Sequence, residues 1–259
     1  MKPVAQLDAS GVRAVLLDID DTLTTEGRLT AQAYSTLEQL KSAGMRVIPV
    51  TGRPAGWCDH IARMWPVDAV VGENGAFYFG FFEQKLFQRF HDDAATRARN
   101  RVRLGALVES ILAAVPGCAL ASDQAYRETD LAIDYCEDVP PLPLAAAERI
   151  AQLMRQAGLT AKVSSVHVNG WFGSYDKLTT TRALFQERFR IDLAQDNAAV
   201  VFAGDSPNDA PMFDFFEKSV GVANVRRFEE GLAHKPRFVT QAPFGAGFAE
   251  LGAHLLRDR

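Results

Sequence analysis

An apolar run that ends in acidic residues, at positions 14–23, constrains this chain more than any other stretch. Its alanine, valine and leucine residues have the composition of a strand that is buried on both faces of a parallel α/β sheet. Ligands of such sheets bind beyond the carboxyl ends of the strands, and Asp18 and Asp20 follow this strand directly. Residues two apart in an extended segment project to the same side, so we expect the two carboxylates to lie together.

Two carboxylates at the end of a buried strand repel each other unless a cation joins them, and a hard metal with oxygen ligands is the expected partner. The motif also has simpler interpretations. Asp20 and Asp21 can merely cap a turn, and an Asp-x-Asp pair is found where metals hold nucleotide sugars. The other predicted strand ends decide between these interpretations.

Composition limits the class of protein. The chain has 259 residues, of which 47% are hydrophobic and 23% charged, which is typical of a globular protein with a substantial core. A net charge of −4 argues against nucleic acid or an anionic membrane as the main partner. No apolar run approaches the roughly 18 residues of a membrane span, and the N-terminal segment has no signal-peptide pattern. We therefore predict a cytoplasmic protein, and we expect a monomer or a small homo-oligomer.

The number and spacing of the cysteines are consistent with the predicted cytoplasmic location. Cys58, Cys118 and Cys136 are odd in number, widely spaced and form no CxxC pair. Reduced thiols are expected here, and neither a zinc site nor a disulfide framework is.

The first part of the chain alternates strands and helices. Thr30 can cap a helix that stops at Gly44, and residues 45–50 and 68–71 are predicted to be the next buried strands. The turn at 51–54 follows the first of these strands. This spacing predicts a right-handed parallel βαβ core.

The pattern changes after about Gln84 and returns near Lys177. The elements predicted in between are helices at 97–103, 104–115 and 145–157 and strands at 131–135 and 162–168. Because this block mixes helices and strands and has no acidic strand end, we predict an inserted domain at 84–171. The core would then consist of 1–83 and 172–259.

Four polar features fall at strand ends of the predicted core sheet. They are Asp18 with Asp20, Thr51 with Gly52, Lys177, and Asp205 with Asp209. Phosphoryl transfer needs a metal and fixed donors around the transferred group. Asp205 and Asp209, four apart at a helix start, can complete a magnesium shell, and backbone amides at Thr51 and Gly52 can hold phosphate oxygens. A carboxylate nucleophile beside a carboxylic acid permits a covalent route through an aspartyl-phosphate.

These features resemble, in order, the four motifs of the haloacid dehalogenase superfamily. Residues 16–23 match the first motif, residues 50–53 the second, Lys177 the third and residues 204–209 the fourth. The inserted α/β block and the amino-acid sequence of residues 206–209 resemble those of subclass IIB, which contains the Cof-type, sucrose-phosphate and mannosyl-phosphoglycerate phosphatases. The resemblance implies a doubly wound, Rossmann-like parallel sheet with an inserted α/β cap domain.

The resemblance also implies roles for individual residues. Asp18 would attack phosphorus, and Asp20 would protonate the leaving oxygen and then activate water. Asp18, the main-chain carbonyl of Asp20 and Asp205 would bind Mg²⁺, with Asp209 supporting them. The groups implied to hold the phosphoryl group are Thr51, Gly52, Lys177 and Asn208. Asp21 departs from the glycine that is commonest at this position, and aspartate is tolerable there if its side chain points outward.

The function implied is a magnesium-dependent phosphatase, a phosphoric monoester hydrolase that acts on a small phosphorylated metabolite, with a sugar phosphate expected. The alternatives are a phosphomutase or phosphotransferase on the same scaffold and a non-catalytic phosphate-binding regulatory module. A metal-dependent glycosyltransferase would leave Thr51 and the Gly204-Asp205 motif unexplained.

Further substrate contacts are expected from Arg53, Asn74, His167, Asn169 and Trp171, although His167 also has a structural interpretation. The arginines at 97–103 spread around a helix, so we expect a solvated face there, and we expect the aromatic residues at 77–82 to pack a hairpin.

Overall fold

The computed structural model describes residues 1–257, which form thirteen strands and eight α-helices. The strands are β1 (Lys2–Pro3), β2 (Ala14–Leu17), β3 (Arg46–Pro49), β4 (Val70–Gly72), β5 (Phe77–Phe82), β6 (Lys85–Phe90), β7 (Ala119–Leu120), β8 (Leu131–Asp134), β9 (Thr160–Val163), β10 (His167–Trp171), β11 (Val200–Gly204), β12 (Lys218–Gly221) and β13 (Phe238–Val239). The helices are α1 (Ala31–Ser42), α2 (Ala55–Met64), α3 (Ala94–Gly105), α4 (Val108–Ala114), α5 (Leu144–Gln156), α6 (Lys177–Leu184), α7 (Ala210–Phe215) and α8 (Phe244–Leu256).

The core is a six-stranded sheet in the order β1-β13-β12-β11-β2-β3, in which every neighbouring pair is parallel. Alternate residues of β2 face opposite sides of the sheet. Leu16 lies in one hydrophobic cluster with Leu184 of α6, and Leu17 lies in another with Leu37 of α1. Helices therefore cover both faces, and the predicted α/β class with a parallel, Rossmann-like sheet is confirmed.

Local sequence explains the elements that lead to the strand ends. Thr30 caps α1, because its side chain accepts a hydrogen bond from the Ala33 amide at 3.2 Å. The predicted helix positions Ala33, Leu37 and Leu40 are buried. Gly44 ends the turn after α1 with a φ of 81°, which is a conformation that glycine adopts without strain.

A second sheet contains the antiparallel strands β7-β8-β10-β9. It has its own hydrophobic cluster, which includes Leu104, Ile133, Ile150 and Val168. The strand predicted at 162–168 is wrong, because β9 and β10 form an antiparallel hairpin whose turn contains Ser164. The Ser164 hydroxyl accepts a hydrogen bond from the His167 amide at 3.0 Å, and such local bonding favours a turn over a continuous strand.

The helix predicted at 104–115 is also wrong in part, because α3 ends at Gly105 and α4 begins at Val108. Glycine is a poor residue for the interior of a helix. The domain bounds 1–83, 84–171 and 172–259 stay a prediction. Residue 84 lies in the turn between β5 and β6, where Glu83 and Gln84 have positive φ angles of 48° and 66°.

The aromatic segment at 77–82 forms β5, the central strand of a three-stranded antiparallel sheet with β4 and β6. Phe77 and Phe79 are buried with ring centroids 4.3 Å apart, so they pack the hairpin as predicted. Among residues 1–257, no helix has both the length and the apolar character that crossing a membrane requires.

Candidate active site

Three buried aspartates meet at the carboxyl end of the core sheet. Leu17 of β2 lies opposite Ala203 of the parallel strand β11, so Asp18 and Asp205 leave the sheet at the same edge. Asp209 follows one helical turn after Asp205. Carboxylate oxygens of Asp18, Asp205 and Asp209 all lie within 4.8 Å of one another. The sequence prediction that these residues converge therefore agrees with the geometry.

The loop after β11 is shaped by Asp209. One oxygen of its carboxylate accepts hydrogen bonds from the backbone amides of Asp205 at 3.0 Å and Ser206 at 3.3 Å. A side chain at Gly204 would place a Cβ atom 2.5 Å from that oxygen, so the loop requires glycine there. Asp209 consequently orients the segment that carries Asp205.

Lys177 is the buried cation of this cluster. Its Nζ atom lies 3.0 Å from Asp18 and 2.7 Å from Asp209. The lysine begins α6, which is capped by Asp176, and the Asp176 carbonyl packs against Gly75 so closely that a Cβ atom at 75 would lie 2.1 Å from it. Burial alone would lower the pKa of Lys177, but the charges of Asp18 and Asp209 raise it above its usual value.

One lysine does not balance three buried carboxylates. Burial raises the pKa of Asp18 to about 7, although Lys177 opposes this shift, and burial together with Asp209 and Asp18 raises the pKa of Asp205. Asp205 is held by the Thr22 hydroxyl at 3.3 Å and by the Asn224 side-chain amide at 3.2 Å. The excess buried negative charge and the all-oxygen donor set fit a hard divalent cation such as Mg²⁺.

A set of hydrogen-bond donors lies at the end of β3. Thr51 is fully buried, and its hydroxyl accepts a hydrogen bond from the Arg53 amide at 3.0 Å. Asn74 contacts Gly52 closely and accepts a hydrogen bond from Asn208 at 3.4 Å. The Nδ2 group of Asn74 is buried and has no hydrogen-bond partner within residues 1–257. An unsatisfied buried donor is costly, so this corner fits an anionic ligand.

The Asp20 side chain belongs to a different group of contacts. Both its carboxylate oxygens lie 2.9 Å from the Nε atom of Arg53, and the Nη2 atom of Arg53 is 2.7 Å away. Arg53 also donates to Asp123 at 3.4 Å and to both oxygens of Glu137. A core arginine thus joins the second acid of the Asp-x-Asp motif to residues of the second sheet and its loops.

Glu137 and His167 extend this network. The Nε2 atom of His167 lies 2.8 Å from Glu137. Burial opposes ionisation of Glu137, but its close contact with His167 and its hydrogen bonds from Arg53 lower the pKa of its carboxyl group to about 2. Of the expected substrate contacts, Arg53 lines the pocket described below, whereas His167 lies behind Glu137.

Asn169 and Trp171 are buried away from that pocket. Asn169 donates a hydrogen bond to Asp130 at 2.9 Å, and Trp171 donates to the Tyr175 carbonyl at 3.2 Å. Both side chains lie on β10, and their partners are protein atoms. Their position reflects packing between the two sheets, and neither residue borders the pocket.

Sequence reasoning missed two buried charges between the sheets. Glu73 accepts hydrogen bonds from the amides of Ala55, Glu128, Thr129 and Asp130, at 2.9, 2.9, 2.7 and 3.3 Å. Arg127 contacts Asp123 and Asp130 and donates to the Gly52 carbonyl at 2.9 Å. Most partners of Glu73 are backbone amides more than fifty residues away, which leave no signal in the sequence.

A pocket of about 530 Å³ opens next to Asp20. Its walls come from the loop after β2, from the turn of the β9–β10 hairpin and from the segment after β8. Asp21, Glu137, Ser165 and Arg227 are among the residues that line it. The Asp21 side chain, which is 16% exposed, lines this pocket and does not point freely into solvent.

The parallel α/β core carries an acid cluster at its strand ends and has a second sheet beside it. Residues 15–96 match the family model of the haloacid dehalogenase-like hydrolases. The predicted resemblance to the superfamily is thereby confirmed.

The chain is similar to curated relatives, and its fold is similar to that of solved structures. The phosphoglycolate phosphatase of Haloarcula marismortui is 28% identical over 237 residues, which cover 91% of this chain and 94% of that relative. A crystal structure from Thermoplasma acidophilum has a TM-score of 0.70 at 16% identity and covers 94% of this chain and 98% of that one. A sugar phosphatase described as subclass IIB has a TM-score of 0.60 at 13% identity, with 94% and 96% covered, and shares the fold.

Proposed function

We propose that this protein is a magnesium-dependent phosphatase that hydrolyses a small phosphorylated metabolite through an aspartyl-phosphate. The observation that carries the proposal is the buried cluster of Asp18, Asp205 and Asp209 around Lys177, with the unpaired amide of Asn74 beside it. The match to the haloacid dehalogenase-like family model and the relatives that are named phosphatases support the enzyme class, a phosphoric monoester hydrolase. A sugar phosphate is the substrate class we expect.

In the first step, a carboxylate oxygen of Asp18 forms a bond to phosphorus while the ester P–O bond breaks. Asp20 gives its proton to the leaving oxygen, so the alcohol departs neutral. In the second step, water attacks the phosphorus and the bond to Asp18 breaks. Asp20 accepts a proton from that water, and inorganic phosphate is released with Asp18 and Asp20 restored to their starting states.

The remaining side chains hold charge in place. Asp18, Asp205 and the main-chain carbonyl of Asp20 would hold Mg²⁺, with Asp209 supporting them, and the bound ion would supply positive charge against the phosphate oxygens. Lys177 supplies a second positive charge from the protein itself. Thr51, Gly52, Asn74 and Asn208 offer fixed donors on the other side of the phosphoryl group.

The contact between Arg53 and Asp20 fixes the position of the Asp20 carboxyl group. The guanidinium holds the carboxyl group at the pocket wall, which the leaving alcohol must pass. Two nitrogens of Arg53 contact Asp20, so the carboxyl orientation is fixed before substrate arrives. Orientation of a proton donor is one way in which a site lowers the barrier to ester cleavage.

Two alternatives have a definite experimental signature. A phosphotransferase would pass the phosphoryl group of Asp18 to a sugar, and product analysis with an acceptor sugar separates this activity from hydrolysis. Phosphoglycolate is a second candidate substrate, because the Haloarcula relative is named a phosphoglycolate phosphatase.

A cytoplasmic location and a monomer or small homo-oligomer stay predictions from the sequence.

Phosphate release from a panel of sugar phosphates, nucleotides, 2-phosphoglycolate and 4-nitrophenyl phosphate tests the proposal. We expect release with Mg²⁺, loss of release with chelator, and loss by at least about 1,000-fold in Asp18→Asn. A matched control is Asp59→Asn, a partly exposed aspartate on α2 that forms an ion pair with Arg63 at 2.8 Å. Folded protein that binds Mg²⁺ but releases no phosphate from any compound would contradict the proposal.

A further inference from the structure

Asp21 has an unusual backbone conformation for an aspartate next to a proposed catalytic acid. Its φ angle is 56°, in the left-handed region that favours glycine, although aspartate tolerates this region better than most residues. The conformation turns the side chain into the pocket beside Asp20. Strained non-glycine residues cluster at functional sites, so the conformation of Asp21 indicates a functional role for this position.

The carboxylate of Asp21 lacks a close partner. Its nearest cation is Arg227, at 3.9 Å, and the Arg227 side chain is 58% exposed. No protein group within residues 1–257 therefore satisfies this carboxylate in the way that Arg53 satisfies Asp20.

Ser165 faces the same part of the pocket from the β9–β10 turn. The residue is 4% exposed, and its hydroxyl makes no hydrogen bond of normal geometry within the described chain, although it lies close to Asp21. A buried hydroxyl without a partner is costly unless a ligand satisfies it. Asp21 and Ser165 together offer an acceptor and a hydroxyl to one bound group.

The charge of the pocket restricts what that group can be. Within residues 1–257, five carboxyl groups and three guanidinium groups line the pocket. Arg53 already contacts Asp20, Asp123 and Glu137, so it has little positive charge to offer a ligand. A carboxylate on the leaving group would face an excess of negative charge, whereas a hydroxyl or amino group would donate a hydrogen bond into it.

We propose that Asp21, with Ser165 opposite, selects substrates whose leaving group carries a hydroxyl or amino group near the phosphate and disfavours leaving groups with a carboxylate. This inference rests on the proposed phosphatase function and deepens it. It favours polyol and sugar phosphates over 2-phosphoglycolate, the compound in the name of the Haloarcula relative.

A matched pair of substrates tests the inference. 2-Hydroxyethyl phosphate and 2-phosphoglycolate have the same two-carbon chain and differ in carrying a hydroxymethyl group or a carboxylate. The values of kcat/KM for both substrates would be measured with Mg²⁺-loaded protein. Both compounds would also be measured as competitors of 4-nitrophenyl phosphate, so that their relative binding is obtained even when turnover is slow. We define the ratio as kcat/KM for 2-hydroxyethyl phosphate divided by kcat/KM for 2-phosphoglycolate. A loss of activity that both substrates share, such as one caused by a structural change, cancels in this ratio.

Two variants separate the contributions of Asp21. Asp21→Asn keeps an acceptor oxygen and removes the charge, so 2-phosphoglycolate should gain and the ratio should fall by about 10-fold. Asp21→Gly removes acceptor and charge while fitting the backbone conformation, so the ratio should fall by about 10- to 100-fold without loss of stability to urea. Glu83→Gln is the control, because Glu83 is an exposed acid with a φ of 48° in the β5–β6 turn, away from the pocket.

The outcomes are distinct for the two proposals. The inference is supported if wild type prefers the hydroxyethyl ester and both Asp21 variants lose that preference while Glu83→Gln keeps it. It is overturned if wild type prefers 2-phosphoglycolate, or if the ratio in the Asp21 variants stays within about twofold of wild type. Failure of wild type to hydrolyse even 4-nitrophenyl phosphate would overturn the phosphatase proposal and this inference with it.

Discussion

The acid cluster of the core and the pocket beside Asp20 are both rich in carboxylates, but they are built in different ways. In the cluster, Asp18 and Asp209 share a fully buried lysine, and backbone amides fix the loop that carries Asp205. In the pocket, the nearest cation to Asp21 within residues 1–257 is Arg227, which lies 3.9 Å away and is 58% exposed. Lys177 and backbone amides hold the first region together, although its excess negative charge fits a bound cation, whereas the second region retains a carboxylate and a hydroxyl without a close protein partner among residues 1–257.

The difference follows from the elements that form each region. Neighbouring parallel strands bring their ends to one edge of a sheet, so the register of β2 and β11 fixes the acid cluster. The pocket is formed by loops and a hairpin turn, whose lengths and side chains can change without disturbing the sheet. We therefore expect the proposed phosphoryl-transfer chemistry to depend on the strand ends and the proposed substrate selection to depend on the loops.

The largest change in stability is expected from Lys177→Met, which tests how the acid cluster is held together. The substitution leaves Asp18 and Asp209 buried without a cation, which should lower the free energy of unfolding by about 3–5 kcal/mol, measured by urea unfolding in chelator. Lys85→Met, at an exposed position of β6, should change it by less than about 0.5 kcal/mol. Equal stability of the two variants would mean that the cluster is not organised by Lys177.

A smaller, pH-dependent effect is expected from Glu137→Gln. The pKa of Glu137 is lowered from 4.5 to about 2 in the folded protein, so its ionised form stabilises the fold above about pH 4.5. This contribution is lost as the pH falls towards 2. Wild type should be more stable than the variant by about 1–2 kcal/mol at pH 7, and the difference in urea unfolding should shrink at pH 3.5. A difference that is unchanged between these pH values would contradict the proposed charge network.

The smallest effect is expected on the arginine-rich helix α3. Arg101 contacts Glu128 at 2.7 Å, but its side chain is 58% exposed. Arg101→Gln should therefore change stability by less than about 0.5 kcal/mol and leave phosphate release unchanged. A loss of substrate affinity in this variant would mean that the helix attracts the anionic substrate, and the interpretation as a solvated face would be wrong.

Much of the core could be predicted from sequence because its signals are local. An apolar run, the acids that follow it, and a cap such as Thr30 are read from neighbouring residues. The rule that parallel strands share one ligand-binding edge then brings Asp18, Asp205 and Asp209 together. Roles beyond this placement, including metal ligation and proton transfer, are the content of the proposal.

The region between the sheets could not be predicted in the same way. Glu73 is satisfied by backbone amides at 128–130, and backbone groups have the same chemistry at every position. The direction of Asp21 depends on a left-handed φ angle, which its residue type permits but does not require. Trp171 and Asn169 precede Lys177 closely in sequence, yet strand pleating and inter-sheet packing direct them away from the pocket.

The covalent step through Asp18 is the central claim, and trapping it is the most direct test. Turnover of 4-nitrophenyl phosphate by Asp20→Asn, in which hydrolysis of the intermediate should be slowed, would be quenched in acid and the peptides analysed by mass spectrometry. We predict a phosphoryl group on the peptide that contains Asp18, and none in Asp18→Asn. Phosphate release by wild type, with no phosphorylated Asp18 in the quenched Asp20→Asn protein or with the phosphoryl group on another residue, would contradict the account.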